Sequence, residues 1–195
     1  MYRLKRFKPW LFMSVLAGIV IAIALLTAED DSAMFITIDE SLNQTEENYL
    51  VYFWQEGCHY CEEIEPVITD YQEEGARPLY VIDMQAEENL SAWYDWEQHH
   101  REKDQVIGEV VDGSIEYFED PNIYLEDPDI QWEIETIGDE VKAVHQTALY
   151  DKNPTTIAEI NIPATPALLT VEQGEPKALV VGVDRVTEQL TQAKE

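Results

Sequence analysis

The sequence predicts an α/β domain behind a single membrane-spanning helix, and three observations predict it. First, an apolar run from Tyr49 to Phe53 stops at a turn. An amphipathic segment then opens on the chain's only cysteines, Cys58 and Cys61, and a second apolar run follows at Leu79 to Ile82. Strand, helix, strand is a βαβ unit. Second, Pro163 and Pro166 bracket Ala164-Thr165 just before another apolar run, making that strand entry stiff and extended. Third, Pro9 to Ala28 carries no charge and follows Arg3, Lys5, Arg6 and Lys8.

At about 1.5 Å per helical residue, such a run matches a hydrocarbon core of roughly 30 Å. The basic flank stays on the cytoplasmic side. The expected organisation is a cytoplasmic tail over 1–8, an anchor over 9–28 and a domain over 29–195 outside the cell membrane. A cleaved signal peptide is the other reading of a basic and apolar start. Against it, the apolar run is long for a signal peptide and Leu26-Thr27-Ala28 lacks a small-x-small pattern; with no cysteine directly after the run, a lipid anchor at that point is excluded too.

The chain has 40 Asp and Glu against 12 Lys and Arg, a formal −28. All the acids lie beyond residue 28 with eight of the bases, so the exported part carries −32. Such a charge excludes nucleic acid and anionic lipid surfaces as natural partners. Outside the cytoplasm a thiol pair meets oxidising conditions, where disulfides persist.

Taken in order, Phe35 to Ile38 alternates, and an acidic segment through Asn48 reads as helix. Tyr49 to Trp54 is a buried strand of aromatic and β-branched residues. Gly57 breaks it, and a helix runs from Cys58 to about Tyr71, with Cys61, Ile64, Ile68 and Tyr71 on one face and Pro66 kinking it. Leu79 to Ile82 is the next strand, ending at Asp83. Asn89 to about Val110 reads as a helix, with Leu90, Trp93, Trp96, His100 and Val106 on its packed side. Ile115–Phe118 and Ile130–Ile137 alternate as strands between turns at Asp120-Pro121, Asp127-Pro128 and Gly138-Asp139. Val141 to Tyr150 fits helix or strand equally.

The chemistry centres on Cys58 and Cys61. At the start of a helix, free N–H groups and the positive helix end favour Cys58 as a thiolate. Cys61, one turn on, is placed to resolve a mixed disulfide. A protonated His59 would help the thiolate, whereas Glu56, Glu62, Glu63 and Glu65 oppose negative charge there. Glu62 and Glu63 also complement the helix end. Cys58, His59 and Cys61 with His99, His100 or His145 are ligand types for zinc or copper. Adjacent His59 cannot easily join both cysteines on one tetrahedral ion, so no metal is expected. His99-His100 reads as one exposed and one half-buried helix residue.

Phe53-Trp54-x-Glu56-x-Cys58-x-x-Cys61, with Pro66 five residues on, resembles the active-site stretch of the thioredoxin superfamily. Thr165-Pro166-Ala167-Leu168-Leu169-Thr170-Val171-Glu172-Gln173-Gly174-Glu175 resembles its cis-proline loop, the following strand and the hairpin turn. Gly182 falls at a glycine of that family's last strand, and Val186 to Ala193 would be its closing helix. The resemblance spans about 35–83 and 157–193. It implies a thioredoxin fold, a central mixed sheet flanked by helices, with residues 84–156 as an inserted subdomain before the cis-proline strand. It implies Cys58 and Cys61 as the catalytic pair, with Trp54, Glu56, His59 and Tyr60 tuning it, and Thr165 and Pro166 bordering substrate. A buried Asp beneath the pair in thioredoxin is matched here by Tyr52, with Glu56 a candidate replacement.

The expected activity is thiol–disulfide oxidoreduction on thiols and disulfides of exported proteins, with a redox partner protein and no cofactor besides the Cys58–Cys61 disulfide. Small anchored proteins of this shape resemble accessory proteins of bacteriocin production in Gram-positive bacteria. The competing class is a non-catalytic module on the same fold, a chaperone or metal carrier. Mass spectrometry of membrane-extracted protein is expected to recover the intact N-terminus; a mature chain starting near Glu29 in the culture fluid would overturn the anchor.

Overall fold

The computed structural model describes residues 34–194. The expected anchor and basic tail lie outside the described residues, among which no helix is long and apolar enough to cross a membrane. The elements run β1 (Met34–Phe35), β2 (Tyr49–Trp54), α1 (His59–Glu74), β3 (Leu79–Asp83), α2 (Trp96–Lys103), β4 (Gln105–Val111), β5 (Ser114–Tyr117), α3 (Asn122–Leu125), β6 (Trp132–Ile137), β7 (Glu140–His145), β8 (Ala167–Glu172), β9 (Glu175–Val181) and α4 (Val183–Ala193).

Five strands form the central sheet in the order β1-β3-β2-β8-β9. β1, β3 and β2 are parallel, while β8 and β9 join antiparallel. β2 is the middle strand and is covered on both faces, which is why Tyr49–Phe53 reads as an unbroken apolar run. Its alternate residues Tyr49, Val51 and Phe53 enter a core with Ile82, Met84, Ile160, Ile162 and Leu169. On α1, Cys61, Ile64, Ile68 and Tyr71 are buried, matching the expected face, and α4 beside it buries Val186, Leu190 and Ala193. α1 runs through Pro66 and ends three residues beyond Tyr71. Gly182 follows β9 instead of lying in it; at φ +95° it caps α4.

Residues 84–156 hold a 3-10 turn (Glu87–Ala92), α2, α3 and a second, antiparallel sheet in the order β5-β4-β7-β6. Ile107, Val141 and Ala143 form its core, with Tyr124, Trp132 and Ile134 packed against them. Two buried histidines tie α2 to this sheet: His99 Nε2 lies 2.8 Å from His145 Nδ1, and Tyr94 Oη lies 2.7 Å from His99 Nδ1. Burial, then the neighbouring His99, lowers the His145 pKa.

Several sequence expectations need correction. The acidic segment through Asn48 is not a helix beyond the 3-10 turn Ile38–Glu40. Asn43 and Gln44 side chains bond the carbonyls of Asp39 and Glu40, an alternative to the helical ladder. The helix expected over Asn89–Val110 is broken in two places. Trp93 pairs as a bridge with Ile162, and Asp95 caps a fresh start by accepting from Gln98 N at 2.8 Å. After Lys103 the β-branched Val106-Ile107 pair joins a sheet, so Val106 is an exposed strand residue and not a packed helical one. His99 is buried rather than exposed. Of Val141–Tyr150, the part through His145 is strand.

β4 and β5 cross closely at Gly108, where an added Cβ would sit 2.8 Å from the Glu116 carbonyl oxygen and 3.2 Å from Tyr117 Cα. Gly108→Ala is therefore expected to cost about 1–3 kcal/mol by overpacking. The loss should appear in denaturant titration, with faster hydrogen exchange across 105–117. An unchanged midpoint would contradict this packing.

Candidate active site

β2 ends at Trp54, and Gly57 at φ +72° turns the chain so that Cys58 becomes the cap of α1. Only glycine adopts that φ without penalty. The Cys58 sulfur takes the place a hydroxyl holds in an ordinary cap, accepting from Cys61 N at 3.1 Å. Across from it comes the loop before β8, whose Thr165–Pro166 peptide is cis. Thr165 Oγ1 donates to Cys58 Sγ at 3.3 Å, and the Thr165 carbonyl lies 3.6 Å from the same sulfur. Thiol and thiolate thus both find partners. The S–H has a carbonyl to donate to, and the anion has one N–H and one O–H directed at it.

The pair is asymmetric. Both thiols are free and buried, but Cys61 is 2% exposed against 8% for Cys58. Burial first, then the Cys58 contact, pushes the Cys61 pKa up to about 11. This exceeds the value near free cysteine that its depth in the helix would suggest by itself. Tyr52 faces Cys61, and burial, then the neighbouring thiol, pushes its phenol well above the usual range. Its hydroxyl is buried with no hydrogen-bond partner among the described residues.

The other predicted site residues divide. Tyr60 and Pro166 line one groove of about 540 Å³ with Thr165, Val181 and Arg185. Thr165 itself is buried, with its hydroxyl and carbonyl turned to Cys58. Exposed His59 leans on Tyr60, ring centroids 5.6 Å apart. Trp54 packs edge-on against Phe35 at 6.4 Å. Glu56 is exposed; its carbonyl, not its carboxylate, is engaged, by Gln85 Nε2 at 3.2 Å. Tyr52, not Glu56, is the ionisable group beside Cys61. Among the described residues no three His, Cys, Asp or Glu side chains converge to hold a metal ion.

Sequence reasoning missed the residues that hold the proline loop. Trp96 Nε1 donates to the Pro163 carbonyl at 3.0 Å. Tyr94 N donates to the Ile162 carbonyl at 3.1 Å, and Ile162 N to the Ala92 carbonyl at 2.8 Å. The clustering of Trp93 and Trp96 was the available signal, read there as helix packing.

No family model matches the chain, and no curated protein matches it. Among solved structures it is similar to the thioredoxin of Malassezia sympodialis, at 14% identity and TM-score 0.39, covering 84% of this chain and 92% of that one. It is also similar to a point mutant of thioredoxin from Halobacterium salinarum, at 14% identity and TM-score 0.40, covering 87% and 96%. The fold is of the thioredoxin type. Its own strand order carries that statement: parallel β1-β3-β2, antiparallel β8-β9, and a cysteine-capped helix after the central strand.

A thiol ionises as pH rises, so a raised pKa keeps Cys61 protonated at neutral pH, with a thiolate fraction on the order of 10⁻⁴. Iodoacetamide at pH 7 is expected to modify Cys58 well before Cys61. Cys61 labelling should then rise about tenfold per pH unit toward pH 11. Fragment mass spectrometry separates the two sites, and equal rates at pH 7 would contradict the asymmetry.

Proposed function

We propose that the protein is a membrane-tethered thiol–disulfide oxidoreductase acting outside the cytoplasm on exported proteins. The observation that carries the chemistry is Cys58 Sγ at the head of α1, held by Cys61 N–H and Thr165 Oγ1. The tether and compartment are supported by the Arg3, Lys5, Arg6, Lys8 flank and the charge-free run to Ala28.

In the reducing direction, the Cys58 thiolate attacks one sulfur of a substrate disulfide. A Cys58–substrate disulfide forms and the other substrate sulfur leaves as thiolate. Cys61 loses its proton and attacks Cys58 Sγ, forming the Cys58–Cys61 disulfide and releasing the second substrate thiolate. Two electrons pass from the pair to the substrate; the reverse sequence oxidises a dithiol. A redox partner protein then resets the pair. The groove walled by Tyr60, Pro166 and Val181 is where a substrate segment would lie.

Cys61→Ala removes the resolving thiol, so mixed disulfides with exported proteins should accumulate on Cys58. Cys58→Ala should trap almost none, since the remaining thiol is the more buried and is pushed up to about 11. Non-reducing gels of membrane extracts read the difference. Equal trapping by both variants would overturn the assignment of roles, and trapping by neither would favour a non-catalytic module.

A further inference from the structure

β5 ends its sheet, so among the described residues one side of this strand has no neighbour. Its register fixes which groups face outward. β4 and β5 are joined by Asp112-Gly113, both at positive φ, and Val111 lies opposite Ser114. In a two-residue hairpin that first pair exchanges hydrogen bonds, and such pairs then alternate. Glu116 is therefore bonded inward to Glu109, and Phe118 N donates inward to the Ile107 carbonyl at 2.8 Å. Ile115 and Tyr117 turn their N–H and C=O groups out to the free edge.

The same register sorts the side chains. Ile115 lies opposite Val110, and Tyr117 opposite Gly108, which itself lies opposite Val141; this face is apolar. Ile115 and Tyr117 are 47% and 46% exposed. Phe118, one residue past the end of β5, alternates away from this face with 62% of its surface exposed. On the other face Glu116, Glu109 and Glu140 form a row across three strands. Like charges directly opposite one another destabilise a sheet. Lys142 answers the far end of the row, 3.1 Å from Glu140. Nothing cationic lies nearby in sequence: between Lys103 and Lys142 there are thirteen Asp and Glu and no Lys or Arg.

We propose that β5 is a docking edge for an extended cationic segment of a partner polypeptide, added as a fifth strand. Alternation of apolar and basic residues fits it. Apolar side chains extend the Ile115/Tyr117 face, and Lys or Arg side chains continue the glutamate row with opposite charge. A second copy of this chain does not fit, because pairing two β5 edges would bring two glutamate rows together.

The test is hydrogen exchange of the full chain with a blocked peptide of alternating lysine and valine, ~6 residues long. The amides of Ile115 and Tyr117 should become protected, with binding weakened by salt. A peptide of the same side chains N-methylated throughout keeps the charge but cannot extend a sheet, and should protect neither amide. Glu116→Lys preserves the strand and should weaken binding about tenfold. Equal protection by the methylated peptide would reduce the effect to charge condensation and overturn the proposal. So would equal binding of a glutamate–valine peptide, or protection of both amides by self-association without peptide.

Discussion

Everything at the candidate site depends on one sulfur being shared between two parts of the chain that are 107 residues apart. Cys58 caps α1 and, at the same time, receives Thr165 from the loop before β8. Neither contact is strong alone, since a hydrogen bond contributes on the order of 1 kcal/mol net. What makes the arrangement persist is that both partners are anchored in the central sheet. β2 delivers Cys58 and β8 begins directly after Pro166, and these two strands are neighbours with Phe53 opposite Ala167. The sheet register thus sets the distance between thiol and loop.

The second part of the chain serves that same geometry. Trp96, at the head of α2, donates to the Pro163 carbonyl, and Ala92 and Tyr94 bracket Ile162 with main-chain bonds. A loop with Pro163 and Pro166 lacks two N–H donors, so its remaining backbone groups have few ways to be satisfied within a sheet. The segment after β3 supplies partners for them. α2 is in turn held against β7 by the His99–His145 contact. A continuous run of contacts therefore leads from the antiparallel sheet through α2 to the loop facing Cys58.

The parts legible in the sequence are those where a local signal and the tertiary contact agree. Tyr49–Trp54, α1 and Leu79–Asp83 fall where apolar periodicity places them, and the Thr165-Pro166 loop meets Cys58 as the family resemblance implies. Residues 89–110 depart from a single helix because Trp93, Trp96 and His100 fall at helical spacing while Trp93 and Trp96 are each fixed by a distant partner and only His100 has local helical contacts, with Trp96 and Asp104. Trp93 pairs with Ile162, and Trp96 reaches Pro163. Pairing across about seventy residues leaves no trace in a local period. Glu56 is a candidate replacement for the buried acid, yet alternation in β2 turns Tyr52 toward Cys61, while Glu56 lies past the strand's end at Trp54, exposed in the turn. Alternation in β2 was readable; which face α1 would cover was not.

In the proposed mechanism, Tyr52 changes how resolution would work. A carboxylate beneath a thiol pair accepts a proton at neutral pH, whereas a phenol raised by burial cannot. What a neutral phenol offers is a donated hydrogen bond. Its hydroxyl is buried without another partner among the described residues, so a thiolate forming on Cys61 would meet an O–H that is otherwise unclaimed. The proton leaving Cys61 must then go to water or to the departing substrate thiolate. With the pair buried at 8% and 2%, a substrate sulfur bonded to Cys58 would leave from beside Cys61. In the proposed mechanism, resolution and release would be coupled, because the group that leaves would also be the base best placed to take the proton.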